Sequence, residues 1–149
     1  LLTGDAPRMG DYTLVRAGQG VKVDRHPGYK FSALAFNYIG RTMEPMLVDL
    51  EDDGSDVELI THSGQEFNLV LSGSIKVILG KREFVLNQGD ACYFNPRVPH
   101  GQRAVGGPAR FLTGIQHSFK GAGRRYGRSR QRHSPAQKTE YATFQDSRT

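Results

Sequence analysis

The chain has 149 residues, with 20 Lys and Arg against 15 Asp and Glu, a formal charge of +5, and a pI near 9.6. At 37% hydrophobic and 23% charged it reads as one soluble globular domain, which excludes a fibrous or wholly disordered chain. No run approaches the ~18 apolar residues of a membrane span, no basic-then-apolar leader is read, and the lone Cys92 fits a reducing compartment, so a cytoplasmic location without membrane contact is expected.

Strand-length runs succeed one another from Tyr12 to His117. Leu14–Arg16 and Val21–Asp24 are parted by Ala-Gly-Gln-Gly, and Phe31–Ile39 and Met46–Glu51 follow. Asp52-Asp53-Gly54-Ser55-Asp56 is an acidic, solvated loop without the order of a calcium-binding loop. Val57–His62, Glu66–Leu71, Ser74–Leu79, Glu83–Leu86, Ala91–Phe94, Gln102–Val105 and Arg110–His117 come next at close spacing. Val, Ile, Leu, Phe and Thr dominate these runs, and Gly sits in the connectors. No stretch holds a helical period over three turns. The expectation is an all-β fold, a sandwich or barrel.

The excess positive charge lies beyond these strands. Residues 1–119 carry 12 basic and 13 acidic side chains, whereas residues 120–149 carry 8 and 2. This predicts a single domain over 1–119 and a basic Gly/Ser/Arg-rich tail over 120–149. The tail has too little apolar surface to offset its ordering entropy, so it is expected to be mostly disordered. Its Arg124–Arg132 stretch, with Tyr126 inside it, offers weak salt-sensitive contact to nucleic acid. A solvated extension is the plainer reading.

The chemistry-bearing segment is His62-Ser63-Gly64-Gln65-Glu66, with His100 arriving from a later strand. In an extended chain His62, Glu66, Asn68 and Val70 share one face, and Phe67, Leu69 and Leu71 share the other. A strand apolar on both faces is expected to be covered on both, by the barrel interior and by the N-terminal strands or a second subunit. Two imidazoles and a carboxylate can occupy one face of an octahedral metal and leave positions open. They can also satisfy one another by hydrogen bonds. The ligand types suit Fe, Mn, Ni, Co or Zn alike. Gln102 shares the parity of His100, which makes it a second donor behind the site. Tyr93 and Phe94 read as core, and Cys92 as a small buried residue without nucleophilic activation.

These residues carry a resemblance to the cupin superfamily. The spacing His62, three residues, Glu66, six residues, Gly73 is similar to the first cupin motif. Gly89 and His100, eleven positions apart, are similar to the second. Ile60 stands where the first motif has its leading histidine; Asn95, Arg97 and Ala104 stand where the second has proline, glycine and asparagine. The resemblance implies a double-stranded β-helix, or jelly-roll barrel, over about Tyr12–Ser118. It implies a reduced metal set of His62, Glu66 and His100, or a site that holds no metal, and a pocket wall including Ile60, Asn68, Gln102 and Ala104. Such a 2-His-1-Glu set resembles the iron-dependent hydroxypropylphosphonate epoxidase branch. Leu14–Gly20, Arg41–Val48, His62–Gly73, Gly89-Asp90 and Pro99-His100 together resemble the C-terminal cupin of helix-turn-helix regulators. That resemblance implies a homodimeric small-molecule sensor that reaches DNA through a helix-turn-helix not seen in this sequence, which begins at Leu1. The competing expectation is a mononuclear oxygenase, epoxidase or isomerase acting on a small anionic metabolite.

Overall fold

The structure is a computed structural model that describes residues 10–24 and 26–117. The expectations for 120–149, including the basic tail and its Arg124–Arg132 stretch, lie outside the described residues. Nine strands follow in order: β1 Val21–Val23, β2 Tyr29–Ala33, β3 Met43–Leu50, β4 Gln65–Ser72, β5 Ser74–Leu79, β6 Arg82–Asn87, β7 Ala91–Phe94, β8 His100–Ala104 and β9 Ala109–Gln116. No helix occurs among the described residues, and none is long and apolar enough to cross a membrane.

The strands form two antiparallel sheets, one ordered β1-β2-β3-β9-β4-β7 and the other β6-β5-β8. Period-two alternation sets which side chains go inside. In β3 Glu44, Met46, Val48 and Leu50 are buried, and in β4 Glu66, Asn68 and Val70. The apolar core gathers Val48, Leu50, Val70, Ile75, Val77, Ala104, Ala109 and Phe111, with Tyr29, Phe31, Leu79 and Leu86 packed against it. Fully buried aliphatics such as Val48, Ile75 and Val77 each contribute about 1.5–3 kcal/mol from water exclusion. Gly73 joins β4 to β5 at φ +71°, and a Cβ there would stand 2.5 Å from the Pro108 carbonyl oxygen. Its backbone region and the close approach of β9's entry both demand glycine. This is an all-β double-stranded β-helix.

Three strand expectations are corrected. Leu14–Arg16 forms no strand; β1 already occupies the outer edge of β2 and Leu14 stays exposed. Phe31–Ile39 shortens to β2, because the hairpin that pairs Ala33 with Met46 must use the following residues as its connection. Val57–His62 contributes a single bridge, Ile60 to His100. The next pair inward would be residue 58 with Gln102, but the Gln102 backbone is already engaged. Tyr29 Oη donates to the Gln102 carbonyl at 2.8 Å and accepts from its N–H at 3.1 Å. One hydroxyl therefore stands in for a strand partner and ties β2 to β8 across the two sheets, and the Val57–Ile60 segment pairs with β8 at Ile60 alone.

Of the two covers expected for the outer face of β4, the N-terminal strands are not the one found among the described residues. β1 and β2 extend the same sheet edgewise instead of covering it. Phe67 and Leu69 remain half-buried and Leu71 exposed. Tyr93, expected in the core with Phe94, lies on this outer side opposite Phe67, 63% exposed, and its hydroxyl donates to Gln65.

Candidate metal centre

Glu66 enters the barrel as the second residue of β4, and His100 as the first of β8. His62 lies on the β3–β4 connection, just before Gly64 turns the chain at φ 95° into β4. Local backbone bonds hold this connection: Ile60 and His100 exchange both N–H···O bonds at 2.9 and 3.0 Å, and His62 N–H donates to the Pro96 carbonyl at 3.0 Å. A Cβ on Gly101 would reach within 2.3 Å of Val57, so glycine there lets the connection lie flat against β8.

Glu66 Oε2 lies 3.0 Å from His62 Nε2 and 3.2 Å from His100 Nε2. The ligand atoms of all three fall within 4.8 Å of one another. Each imidazole sets its other nitrogen against a backbone carbonyl, His62 Nδ1 to Ser63 at 3.0 Å and His100 Nδ1 to Val98 at 2.9 Å. Those carbonyls hold each Nδ1 as a donor and leave each Nε2 facing the shared centre, where it donates to Glu66 when it carries a proton and offers its lone pair when it does not. Glu66 Oε1 is held from behind, accepting from Gln102 Nε2 at 3.3 Å and Thr113 Oγ1 at 3.5 Å. With its amide oriented to satisfy both ends, Asn68 also donates to Glu66 Oε1 at 3.3 Å and accepts from Gln102 Nε2 at 2.8 Å. His62 and His100 rings meet edge-on at 5.0 Å, and Phe94 closes the far side of His100 at 4.9 Å.

Electrostatics follow from this burial. Desolvation works against the imidazolium of His100, but hydrogen bonds to Glu66 and the Val98 carbonyl outweigh it and move its pKa above the ordinary value of 6.5. Burial, and then the Glu66 charge, push the Cys92 thiol up, so it stays protonated and is a poor nucleophile. Tyr29 is raised chiefly by burial, so its hydroxyl keeps the proton that it donates to Gln102.

A cavity of about 720 Å³ opens beside the three ligand residues. Met46, Val48, Leu50, Phe31 and Phe111 supply an apolar wall, and His62, Glu66, His100, Gln102 and Thr113 a polar one. Ile60, Gln102 and Ala104 lie on its wall. Asn68 is fully buried and is absent from the wall, acting on Glu66 and Gln102 from beneath. Arg97 stays exposed away from the cavity. His26 and His117 reach the rim. Thr113, Tyr29 and Glu44 were not legible as functional or buried polar residues. Thr113 is marked only by its inward parity in β9, and Tyr29 by nothing local. Glu44, 3% exposed, sits off the cavity and accepts from Arg41 Nε at 2.7 Å, an i,i+3 pair that the sequence does contain.

The donor set fits a divalent cation. Two oriented imidazole nitrogens and one carboxylate oxygen converge on one side, the cavity leaves the other side open, and the direct His–Glu contacts satisfy the same atoms without metal. A double-stranded β-helix with such a centre defines a class of β-barrel protein, and the comparisons name it. The family model described as "Cupin domain" matches residues 46–115, a little under half of the chain, and this part of the chain is similar to it. Among solved structures, the hydroxypropylphosphonic acid epoxidase from S. wedmorenis is similar at 22% identity and TM-score 0.62, over 74% of this chain and 64% of that one. A structure described as Fe(II) HppE aligns with the same identity and score, over 65% of its chain. An HTH_3 family transcriptional regulator from Vibrio cholerae aligns at 23% identity and TM-score 0.54, over 62% of this chain and 52% of that one. This chain thus spans about two thirds or less of these neighbours' lengths, and the likeness shows the fold. No curated protein sequence matches it.

Proposed function

We propose that this cupin domain binds a small molecule in its barrel beside a divalent metal held by His62, Glu66 and His100, and serves as the sensing part of a cytoplasmic transcription regulator. The observation that carries the metal and ligand reading is the convergence of three ligand atoms within 4.8 Å at the wall of an open cavity. A metal there would supply Lewis acidity and open positions for a ligand oxygen or nitrogen. The chain's own residues do the rest. The Ser63 and Val98 carbonyls hold the imidazole tautomers, Gln102 and Thr113 fix the free rotation of Glu66, and Ile60, Val48 and Phe111 exclude water from the apolar wall. The regulator role is supported by the HTH_3 neighbour, with DNA reached through a helix-turn-helix outside this sequence. Dimerisation is supported by the half-buried Phe67 and Leu69 on the outer sheet face.

A second reading, a mononuclear oxygenase, epoxidase or isomerase, is favoured by the two-histidine, one-glutamate set and by the fold likeness to the Fe(II) epoxidase. Elemental analysis of the full chain after anaerobic reconstitution with iron, zinc or manganese, beside His62→Ala and Glu66→Ala, tests the shared core. Near-stoichiometric metal in the native chain and loss in both variants is expected; less than roughly a tenth of an equivalent per chain overturns it. Substrate-dependent oxygen uptake by the iron-loaded chain would replace the sensor reading with the oxygenase.

A further inference from the structure

The β3–β4 connection runs beside the edge of β8 that β5 leaves free, and it is pinned there at both ends. At one end Ile60 and His100 exchange both backbone bonds. At the other the Asp52 carboxylate accepts from the Gly106 and Gly107 amides, just past β8, at 2.9 and 3.2 Å. The connection therefore follows β8 in the antiparallel sense. Eight positions separate Asp52 from Ile60 and six separate His100 from Gly106, so it exceeds a continuous ladder by two residues. Counted from the Ile60–His100 pair, the next pair able to exchange two bonds is Glu58 with Gln102. The Glu58 N–H and carbonyl have no partner among the described residues. Val57 already lies against Gly101, in the space a Cβ would fill.

Gln102 is 7% exposed, so its backbone groups need partners from the protein. The Tyr29 hydroxyl meets both of them, and Glu58 would meet both equally from the chain alongside. Two partners compete for one place, and each makes two hydrogen bonds there, which is the condition for a two-state element. The Tyr29 ring reaches Gln102 along the cavity wall, stacked on Phe31 at 5.6 Å. We infer that Tyr29 is a latch on the barrel mouth. While its hydroxyl holds Gln102, the connection stays unzipped. When the hydroxyl leaves, Val57–Ile60 pairs along β8 and adds a fourth strand to the β6-β5-β8 sheet. Residues of the connection from Glu51 to Ser63 line the cavity, so the added strand changes the shape of its mouth. The exchange trades two bonds for two, and its balance is set by what else the Tyr29 hydroxyl meets in the cavity. The inference stands on backbone geometry, goes beyond the proposed function and requires no metal.

Residue-resolved amide hydrogen exchange on the full chain, with Tyr29→Phe, Glu58→Pro and the two combined, tests the latch. In the native chain the Glu58 amide is expected to exchange near its unfolded-chain rate and the Gln102 amide to be protected. Tyr29→Phe keeps the ring and its stacking and removes only the hydroxyl. The Glu58 amide should then slow by at least about tenfold, and the Gln102 amide should stay protected. Glu58→Pro removes an N–H that Tyr29 leaves unused, so alone it should not alter Gln102. Combined with Tyr29→Phe it should speed the Gln102 amide at least about tenfold. Protection of the buried Ile75 and Val77 amides checks that each variant is folded. A Glu58 amide that stays fast in Tyr29→Phe overturns the inference, as does a Gln102 amide exposed in either single variant or still protected in the double. Glu58→Thr decides the matter should Tyr29→Phe not fold, because it leaves Tyr29 in place and raises strand propensity at an exposed position. Its own amide should exchange about threefold slower relative to the unfolded-chain rate, and an unchanged rate overturns the inference.

Discussion

The inner face of β3, β9 and β4 carries two chemistries only two rows apart. In one row Val48, Phe111 and Val70 oppose one another across the three strands; in the next Met46, Thr113 and Asn68; in the third Glu44, Ile115 and Glu66. All but Ile115 are buried, and all point inward by the same alternation. The apolar row is stabilised by excluding water and by close packing. The polar rows survive burial because Thr113, Asn68 and Gln102 hydrogen-bond Glu66, and Arg41 pairs with Glu44. Periodicity alone assigns both rows to the interior; the partners decide which is core and which is site.

The sharpest way to separate the rows is to damage one and read the other. Phe111→Ala empties a fully buried aromatic site and is expected to cost about 3–5 kcal/mol in urea unfolding, while the folded fraction keeps its metal stoichiometry. A loss of metal at full folding would show that the rows are not independent. Glu66→Ala should do the reverse, lowering metal affinity by more than about a hundredfold, since it removes a ligand and not only its support. It leaves Gln102 Nε2 and His100 less well partnered, so about 1–3 kcal/mol of stability should go with it. Gln102→Met keeps the volume and removes the donor behind Glu66; metal affinity should fall about 10–100-fold with little change in stoichiometry at saturation.

The response to pH offers a smaller and more diagnostic effect. The titratable groups facing His100 are Glu66 and His62. Metal-free protein holds the His100 proton more tightly folded than unfolded, so this contribution to stability is full below the ordinary pKa of 6.5 and is lost as pH rises through the raised value. Metal displaces that proton, so metal-loaded protein should instead gain stability over the same rise. Parallel slopes for the two forms in thermal melts would mean that His100 is not a ligand. The smallest effect is expected on the outside: Arg110 donates to both Asp49 oxygens at 2.7 and 3.1 Å, but the pair is exposed, and Arg110→Ala should cost under about 1 kcal/mol and no metal.

The two histidines and the glutamate that cluster could be read from spacing. His62, Glu66, Gly73, Gly89 and His100 keep cupin intervals, and the structure brings His62, Glu66 and His100 together. Gly73 is legible from its motif interval and its Ser-Gly-Ser connector, and the structure supplies the reason, a positive φ and the approach of Pro108 from β9's entry. The failures have a common cause. Tyr29 replaces a strand partner for Gln102 from 73 positions away, and so the Val57–His62 run, apolar enough for a strand, meets an edge already satisfied. Tyr93 and Phe94 are indistinguishable as aromatic neighbours, but alternation sends one outward and the other against His100.

By itself the sequence determined the all-β class, most of the strand spans and the residue types of the His62–Glu66–His100 cluster, because alternation, glycine turns and motif spacing are properties of neighbours along the chain. Only the tertiary structure decided that Asn68 supports Glu66 from below the cavity, that β1 and β2 widen the sheet instead of covering it, and that the acidic loop lines the barrel mouth. Each of these is a relation between strands distant in sequence. Burial and hydrogen bonding between such strands are settled by the pairing of whole sheets, which no local pattern records.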